Sequence, residues 1–238
     1  MRIIRNDRRI RVSSFIGRYA TLTGLLALLA GLIISFVKPG WLTPMLMSVT
    51  LGLILSIVGG FFADRYASPL AHHEALSKAL KGLDDHYVLV QYTLPAPHVL
   101  VEPGGCTAFV VKAQGGQVTC DKDGRWKHRQ RGKFFRQFAG QEGLGFPHLD
   151  AEVQARKLER WLERHLPDAE IPVRAAIVFV NPNLTLDADN SPVPAFYDKK
   201  VKAWLRGPGK LKPLPDAVYR ELVEAINTTR GDSSLRSK

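Results

Sequence analysis

Two uncharged apolar stretches near the start of the chain dominate its hydrophobic pattern. The first covers residues 19–37 and the second covers 41–63, with only Lys38-Pro39-Gly40 between them. At about 1.5 Å per residue, either stretch can cross a hydrocarbon core roughly 30 Å thick. Because so short a turn joins antiparallel helices, the pattern predicts a transmembrane helical hairpin with both ends on one side of the membrane.

The charges that flank the hairpin predict its orientation. Residues 1–18 contain one acid, Asp7, and six arginines: Arg2, Arg5, Arg8, Arg9, Arg11 and Arg18. The turn between the apolar stretches carries only Lys38. Cytoplasmic segments beside membrane spans are enriched in Lys and Arg. We therefore expect a multi-pass protein of the cell membrane with both termini in the cytoplasm. A signal peptide is disfavoured, because the first run is long and a second span follows at once.

The apolar stretches indicate an anchor. Neither contains an ionisable residue, which a transporter or proton relay ordinarily needs. In the second stretch, small residues lie on nearly one helix face, at Gly52, Ser56, Gly59 and Gly60. Small residues permit close helix approach in lipid. This face predicts either a seam against the first span or a homo-oligomeric contact between two copies.

Beyond residue 64 the pattern becomes that of an α/β domain with a mixed sheet. Helical spacing predicts helices over 68–83, 150–166 and 215–226, with a short one within 194–205. Apolar runs predict strands over 87–93, 98–102, 106–112, 117–120 and 173–180. This order lacks the βαβ alternation of a Rossmann domain, and no phosphate-binding glycine motif is present. The predicted organisation is a basic arm (1–18), two spans, a cytoplasmic domain (64–227) and a frayed tail (228–238).

Composition adds a strong positive charge. The 238 residues carry a formal charge of +11, and two cysteines exclude a disulfide framework. Such a charge favours a polyanionic partner. Residues 1–18 have a net charge of +5 and residues 122–136 a net charge of +6, so these two segments account for the whole excess. The first serves membrane orientation, which leaves 122–136 as the segment that points to a polyanion.

Cations and aromatic residues alternate in that second segment. Single-strand binding surfaces combine cations for phosphates with aromatic rings for base stacking. The predicted nucleic-acid-binding residues are Arg125, Trp126, Lys127, Arg129, Arg131 and Lys133. Two alternatives stay open: a basic loop resting on anionic lipid head groups, and a solvated hairpin whose aromatic side chains enter the core. A second basic stretch over 199–212 has the same alternatives.

The soluble part also contains a distinctive arrangement. A helix bearing Glu74 leads into a strand, residues 97–116 read PHVLVEPGGCTAFVVKAQGG, and a later helix bears Gln154. Over about residues 74–205 this resembles the nuclease-related (NERD) domain, which has the restriction-endonuclease-like α/β fold of PD-(D/E)xK enzymes. The resemblance implies that fold here, following the transmembrane hairpin.

The resemblance also implies a degenerate catalytic site. Lys112 matches the motif lysine, Glu74 the acid of the first helix and Gln154 the glutamine of the later helix, while His98 matches the histidine after the metal-binding aspartate. Pro97 and Val110, however, stand where the family has its two metal-binding carboxylates. Neither side chain can coordinate Mg²⁺, which prefers oxygen ligands. The expectation is therefore a nuclease fold without hydrolytic activity, metal site or cofactor.

Three functions follow as expectations. The first is a membrane-anchored, catalytically degenerate NERD-like protein that binds DNA, RNA or other partners at the cytoplasmic membrane face. The second is a Mg²⁺-dependent nuclease that uses Glu74 and Glu102 around Lys112 as unorthodox ligands. The third is a scaffold for protein interactions that binds no nucleic acid.

Overall fold

The computed structural model describes residues 1–68, 70–132 and 142–235, with only the backbone described over 230–235. The chain divides into two compact units. The helical unit contains Asp7–Ala71 and Gln130–Gly143. The α/β unit contains Met1–Asn6, His72–Arg129 and the chain from Leu144 onward. The helical unit is thus an insertion between the first strand of the α/β unit and the rest of it.

Two long helices, α1 (Asp7–Val37) and α2 (Leu42–Tyr66), form the helical unit. Both are long and apolar enough to cross a membrane, and only 11% of the most apolar window of each is buried. A core helix of a globular protein buries most of such a window. Helix α1 also includes residues 7–18, which the sequence assigned to a separate arm. Arginine is a good helix former and no proline interrupts residues 7–37, so the helix continues without a break.

Glycines bring α1 and α2 into close contact. A Cβ atom on Gly24 would lie 2.6 Å from the Ser56 Oγ, and one on Gly52 would lie 2.8 Å from the Gly24 carbonyl oxygen. The Ser48 hydroxyl donates across the contact to the Ala27 carbonyl at 2.7 Å. The buried glycines are spaced seven residues apart on each helix, at Gly17, Gly24, Gly31, Gly52 and Gly59. The small residues of the second stretch therefore lie in the seam between the two helices.

The α/β unit has two sheets. Its strands are β1 (Arg2–Arg5), β2 (Val88–Gln91), β3 (His98–Glu102), β4 (Gly105–Lys112), β5 (Gly116–Cys120), β6 (Trp126–Arg129), β7 (Val173–Phe179), β8 (Leu184–Asp187) and β9 (Ala195–Tyr197). Its helices are α3 (His72–Leu80), α4 (Pro147–His165), α5 (Val201–Arg206) and α6 (Asp216–Leu235), with a 3₁₀ turn over Asp198–Lys200. The larger sheet has the order β1-β2-β3-β4-β7-β9 and the smaller one β6-β5-β8. Both mix parallel and antiparallel pairs, which confirms the predicted mixed α/β class.

Strand β1 forms one edge of the larger sheet, although the sequence placed it in a basic arm. It runs parallel to β2, with Arg2 opposite Val88 and Arg5 opposite Gln91. Within β1, Ile4 is buried in the core. Two isoleucines between arginines give too short a pattern to be distinguished from a flexible arm. The strand forms because β2 offers it a free edge and an apolar face.

Alternate residues of the large sheet face two different layers. Val90, Val99 and Ala108 lie on one face and pack with Leu158 and Trp161 of α4. Two residues of α6, Leu222 and Ile226, complete this core. On the other face, the Gln91 side-chain amide donates to the His73 carbonyl of α3 at 2.8 Å. Helix α3 and helix α4 therefore cover opposite faces of the sheet.

The structure differs from two of the predictions about helices. The region 194–205, predicted to hold a short helix, begins with β9, and the helix α5 follows from Val201. The tail predicted to fray from residue 228 continues α6 as far as Leu235. In the first case, Pro192 and Pro194 favour an extended chain before the helix.

Candidate functional site

Lys112 is the last residue of strand β4, and its ammonium group lies on the face of the sheet that α4 covers. Its Nζ atom donates to the Asp150 Oδ2 at 2.9 Å. The Lys112 side chain is only 3% exposed, whereas that of Asp150 is 49% exposed. Asp150 lies in the first turn of α4, where the helix dipole favours an acid. The helix thus supplies a carboxylate that connects a buried cation to the surface.

Gln154 follows Asp150 by one helical turn, so their side chains are neighbours on α4. The Gln154 Oε1 is buried and accepts no hydrogen bond from the described residues. The structure therefore brings two of the three predicted site residues, Lys112 and Gln154, to the same side of the sheet, where Asp150 binds Lys112. Sequence reasoning missed Asp150, although an acid in the first turn of a helix was a signal that could have pointed to it.

Glu74 lies on the other side of the sheet from Lys112. It belongs to α3, which packs against the face that contains Gln91. The Glu74 side chain is 66% exposed, and its Oε1 lies 3.9 Å from the Nε2 of His73. The structure consequently does not bring Glu74 together with Lys112 and Gln154.

Glu102 is distant from Lys112 as well. It ends β3 opposite Gly105, at the start of the strand that Lys112 ends, which at about 3.3 Å per residue separates the two by about 23 Å. Its carboxylate accepts hydrogen bonds from Thr107 and, at 2.9 and 3.0 Å, from the Arg174 Nη2. Burial raises the pKa of Glu102, while Thr107 and Arg174 oppose that rise. Glu102 thus belongs to a separate buried ion pair.

Pro97 and Val110 stand at the two positions where the NERD family has its metal-binding carboxylates, and both side chains are apolar. Val110 shares the Lys112 face of β4 and packs beside Ile177 and Ala151. His98 begins β3 opposite Gln91, on the α3 face. Within residues 1–68, 70–132 and 142–235, no group of three or more His, Cys, Asp or Glu side chains is placed to hold a metal ion. Among the described residues, the Asp150 carboxylate thus pairs with the Lys112 ammonium group, and Val110 lines the same face of the strand.

The predicted nucleic-acid-binding residues lie on the smaller sheet. Along β6, Lys127 and Arg129 are exposed, and Trp126 and His128 alternate with them on the inner side. Arg125 and Arg131 are exposed on either side of the strand, and Lys133 lies outside the described residues. The neighbouring strands add Gln117 and Thr119 of β5 and Thr185 and Asp187 of β8 to the same outer face of the small sheet. We call Arg125, Lys127 and Arg129 the basic sheet face; Arg131 belongs to the helical unit.

Trp126 belongs to the core rather than to this face. Its ring centroid lies 6.1 Å from that of Phe179 on β7. It packs with Val118, Leu184 and Ala151 in the apolar cluster below the small sheet. Its packing agrees with the alternative in which the aromatic side chain enters the core, because the ring lies on the side of β6 opposite to the exposed cations.

A tight turn presents the cations of β6. Asp121 accepts backbone N–H bonds from Asp123 and Arg125 across the turn, where Gly124 takes a φ of +74°. The Lys127 Nζ lies 3.1 Å from the Asp121 Oδ2. The backbone N–H of Arg125, followed by Lys127, lowers the pKa of Asp121. The carboxylate thus stays charged near neutral pH and offsets part of the positive charge.

Comparison with known proteins gave no relatives: the chain matches no protein-family model, no curated protein sequence and no solved structure.

Proposed function

We propose that this chain is a membrane-anchored protein whose NERD-like α/β unit binds nucleic acid at the cytoplasmic membrane face. The observation that carries the proposal is the basic sheet face, where Lys127 and Arg129 project from adjacent outward positions of β6. Arg125 adds a third exposed cation just before the strand. A row of cations on a flat polar surface is suited to the regularly spaced phosphates of a nucleic acid.

The anchoring part of the proposal is supported by the surface of α1 and α2. Large apolar side chains such as Leu25, Leu29 and Ile54 are at least half exposed along both helices. Soluble proteins rarely expose so much contiguous apolar surface. Since β1 and β2 pair in one sheet, the chain must enter and leave the membrane on the same side. The six arginines before the first apolar stretch then favour the cytoplasm for that side.

A binding function is preferred to hydrolysis because of the surroundings of Lys112. Two-carboxylate nuclease sites hold Mg²⁺ between acids on neighbouring strands. Here the one described carboxylate at Lys112 is Asp150, on a helix, and it is occupied by the ammonium group. Glu74 and Glu102, the ligands of the nuclease alternative, lie elsewhere in the unit. We therefore infer a degenerate nuclease fold retained for binding.

The test uses the full chain in nanodiscs of neutral phosphatidylcholine and fluorescent single- and double-stranded DNA and RNA. The double variant Lys127→Gln/Arg129→Gln is compared with Lys199→Gln/Lys200→Gln, which removes two exposed cations from the second basic stretch. Losing two phosphate contacts should lower the slope of log affinity against log salt by about 2. Binding that the first variant leaves intact, or that only the second one weakens, would contradict the assignment to the basic sheet face.

The same preparation separates the alternatives. Absence of binding to every nucleic acid favours the protein scaffold. Loss of DNA binding when phosphatidylglycerol is added to the nanodiscs favours the use of the basic sheet face for lipid head groups. Cleavage in Mg²⁺ or Mn²⁺ that Lys112→Ala abolishes establishes the nuclease.

A further inference from the structure

Helix α4 exposes a short apolar stripe at its start. Phe146, Leu149 and Val153 are 64%, 46% and 39% exposed. Of the described residues outside 7–66, Ile3 is the other one with an exposed large apolar side chain. We call these three residues the α4 stripe. Isolated exposed apolar residues are ordinary, but three within the first turns of one helix and the residue before it indicate a contact surface.

The stripe is separate from the core face of α4. Leu149 and Val153 lie one turn apart on one side of the helix, and Phe146 directly precedes its first residue. Another side holds Ala151, Leu158 and Trp161, which are buried in the α/β unit. Folding of the unit therefore does not require the stripe to be apolar.

Basic residues continue the same side of the helix. Beyond Val153, the exposed positions include Arg156, Lys157, Arg160 and Arg164, against the exposed acid Glu163. An apolar segment beside a cluster of Lys and Arg is the pattern of helices that lie at an anionic lipid surface. Each cation near such a surface strengthens the attraction to anionic head groups. The positive charge on this side of α4 thus complements an anionic membrane surface.

The chain leads into the stripe from the helical unit. Within that unit, the Arg65 Nη1 at the end of α2 lies 3.7 Å from the Glu142 Oε2. Phe146 follows Glu142 by only four residues. The stripe therefore begins a short way along the chain from a segment that is bound at the end of a candidate span.

We propose that the α4 stripe inserts into the interface of the anionic leaflet from which the hairpin emerges. The apolar side chains enter between the head groups, while Arg156, Lys157 and Arg160 bind lipid phosphates. This third membrane contact rests on the proposed anchoring, goes beyond the nucleic-acid function, and holds α4 at the lipid surface.

The experiment measures the depth of an environment-sensitive dye in the full chain. Cys106 and Cys120, both buried, are first replaced by alanine. Single cysteines are then introduced by Leu149→Cys in the stripe, Glu170→Cys at the end of the large sheet opposite to Lys112 and Leu29→Cys on the exposed side of α1. Each is labelled with NBD and reconstituted into nanodiscs of phosphatidylcholine and phosphatidylglycerol, with and without nitroxide-labelled phosphatidylcholine. Far-UV circular dichroism shows that each labelled chain is folded.

We expect the nitroxide lipid to quench NBD at positions 29 and 149 several-fold more than at 170. Quenching at 29 without quenching at 149 overturns the stripe proposal alone. Lack of quenching at 29 instead overturns the anchoring on which it rests. Blue-shifted but unquenched fluorescence at 149 means that protein covers the stripe, which also overturns the proposal, as does equal quenching at 149 and 170.

Discussion

Lys112 and Asp150 form an ion pair in which the cation is buried and the anion lies at the surface, with 2.9 Å between Nζ and Oδ2. Burying an ammonium group is costly unless it is paired and hydrogen-bonded. The pair joins the end of β4 to the first turn of α4, so it also positions the start of that helix. Its principal contribution in this chain is therefore to the stability of the α/β unit.

Replacing Asp150 by asparagine should destabilise the α/β unit. The change removes a charged partner from a buried ammonium group, and hydrogen bonds to charged groups contribute about 1.5–3 kcal/mol. We expect urea unfolding of the chain in detergent, followed by tryptophan fluorescence, to show a loss of roughly that size. Asp168→Asn, at an exposed acid after α4, is the matched control. Equal stability of the two variants would show that Lys112 does not depend on Asp150.

Glu102 should make stability fall as the pH rises. Burial raises its pKa above the ordinary value of 4.5. A carboxyl group with a higher pKa in the folded state keeps its proton longer there, so the native chain binds more protons than the unfolded chain just above pH 4.5. The free energy of unfolding therefore decreases with pH through that range. Unfolding of the wild type and of Glu102→Gln, measured side by side at several pH values, should show this decrease in the free energy of unfolding only for the wild type. An identical pH dependence of the two proteins would disprove the prediction.

The glycine seam should tolerate no side chain. At Gly24, a Cβ atom would meet Ser56 and the Gly52 carbonyl, so Gly24→Leu must push α1 and α2 apart. Overpacking of this kind costs about 1–3 kcal/mol. We expect the SDS concentration that unfolds the helices in mixed micelles, measured by circular dichroism, to fall. Gly40→Ala in the turn, where nothing lies within 4 Å, should behave as the wild type. A similar drop in the SDS concentration for both variants would contradict a specific role of the contact at Gly24.

Trp126 should affect stability but not nucleic-acid binding. Because its ring packs beside Phe179 and is only partly exposed, Trp126→Ala should cost about 2 kcal/mol, below the 3–5 kcal/mol of a fully buried tryptophan. Trp126→Phe keeps most of the packing and should bind DNA as the wild type does. A large loss of affinity in Trp126→Phe, with stability preserved, would instead mean that the ring reaches the ligand.

The central strands were predictable because their signal is local. Residues 98–102, 106–112 and 173–180 are apolar runs bounded by glycine or proline, and the structure has strands at 98–102, 105–112 and 173–179. Strands β1, β6, β8 and β9 were missed, since each has only three or four residues. For β1 and β8 the partner edge also lies far away in sequence, on β2 and β5, so no local pattern could show that they would pair.

The candidate site was predictable only in part, for a related reason. The resemblance placed Lys112 and Gln154 on elements that do share one side of the sheet. It gave no means of deciding which face α3 covers, and a strand exchanges its faces with a shift of one residue. Glu74 consequently lies across the sheet from Lys112. Asp150 takes part because of how α4 packs, which is a tertiary property that no local pattern contains.

The pairing of β1 with β2 has a consequence for biosynthesis. Arg2 leaves the ribosome first, but its partner Val88 is made only after both long helices. At about 5–20 residues per second, the first strand waits several seconds for its place in the sheet. If these helices cross a membrane as proposed, insertion of only one of them would leave β1 and β2 on opposite sides of the bilayer, and the sheet would lack its edge. A completed sheet is therefore incompatible with insertion of a single helix, which would make folding of the α/β unit a check on membrane topology.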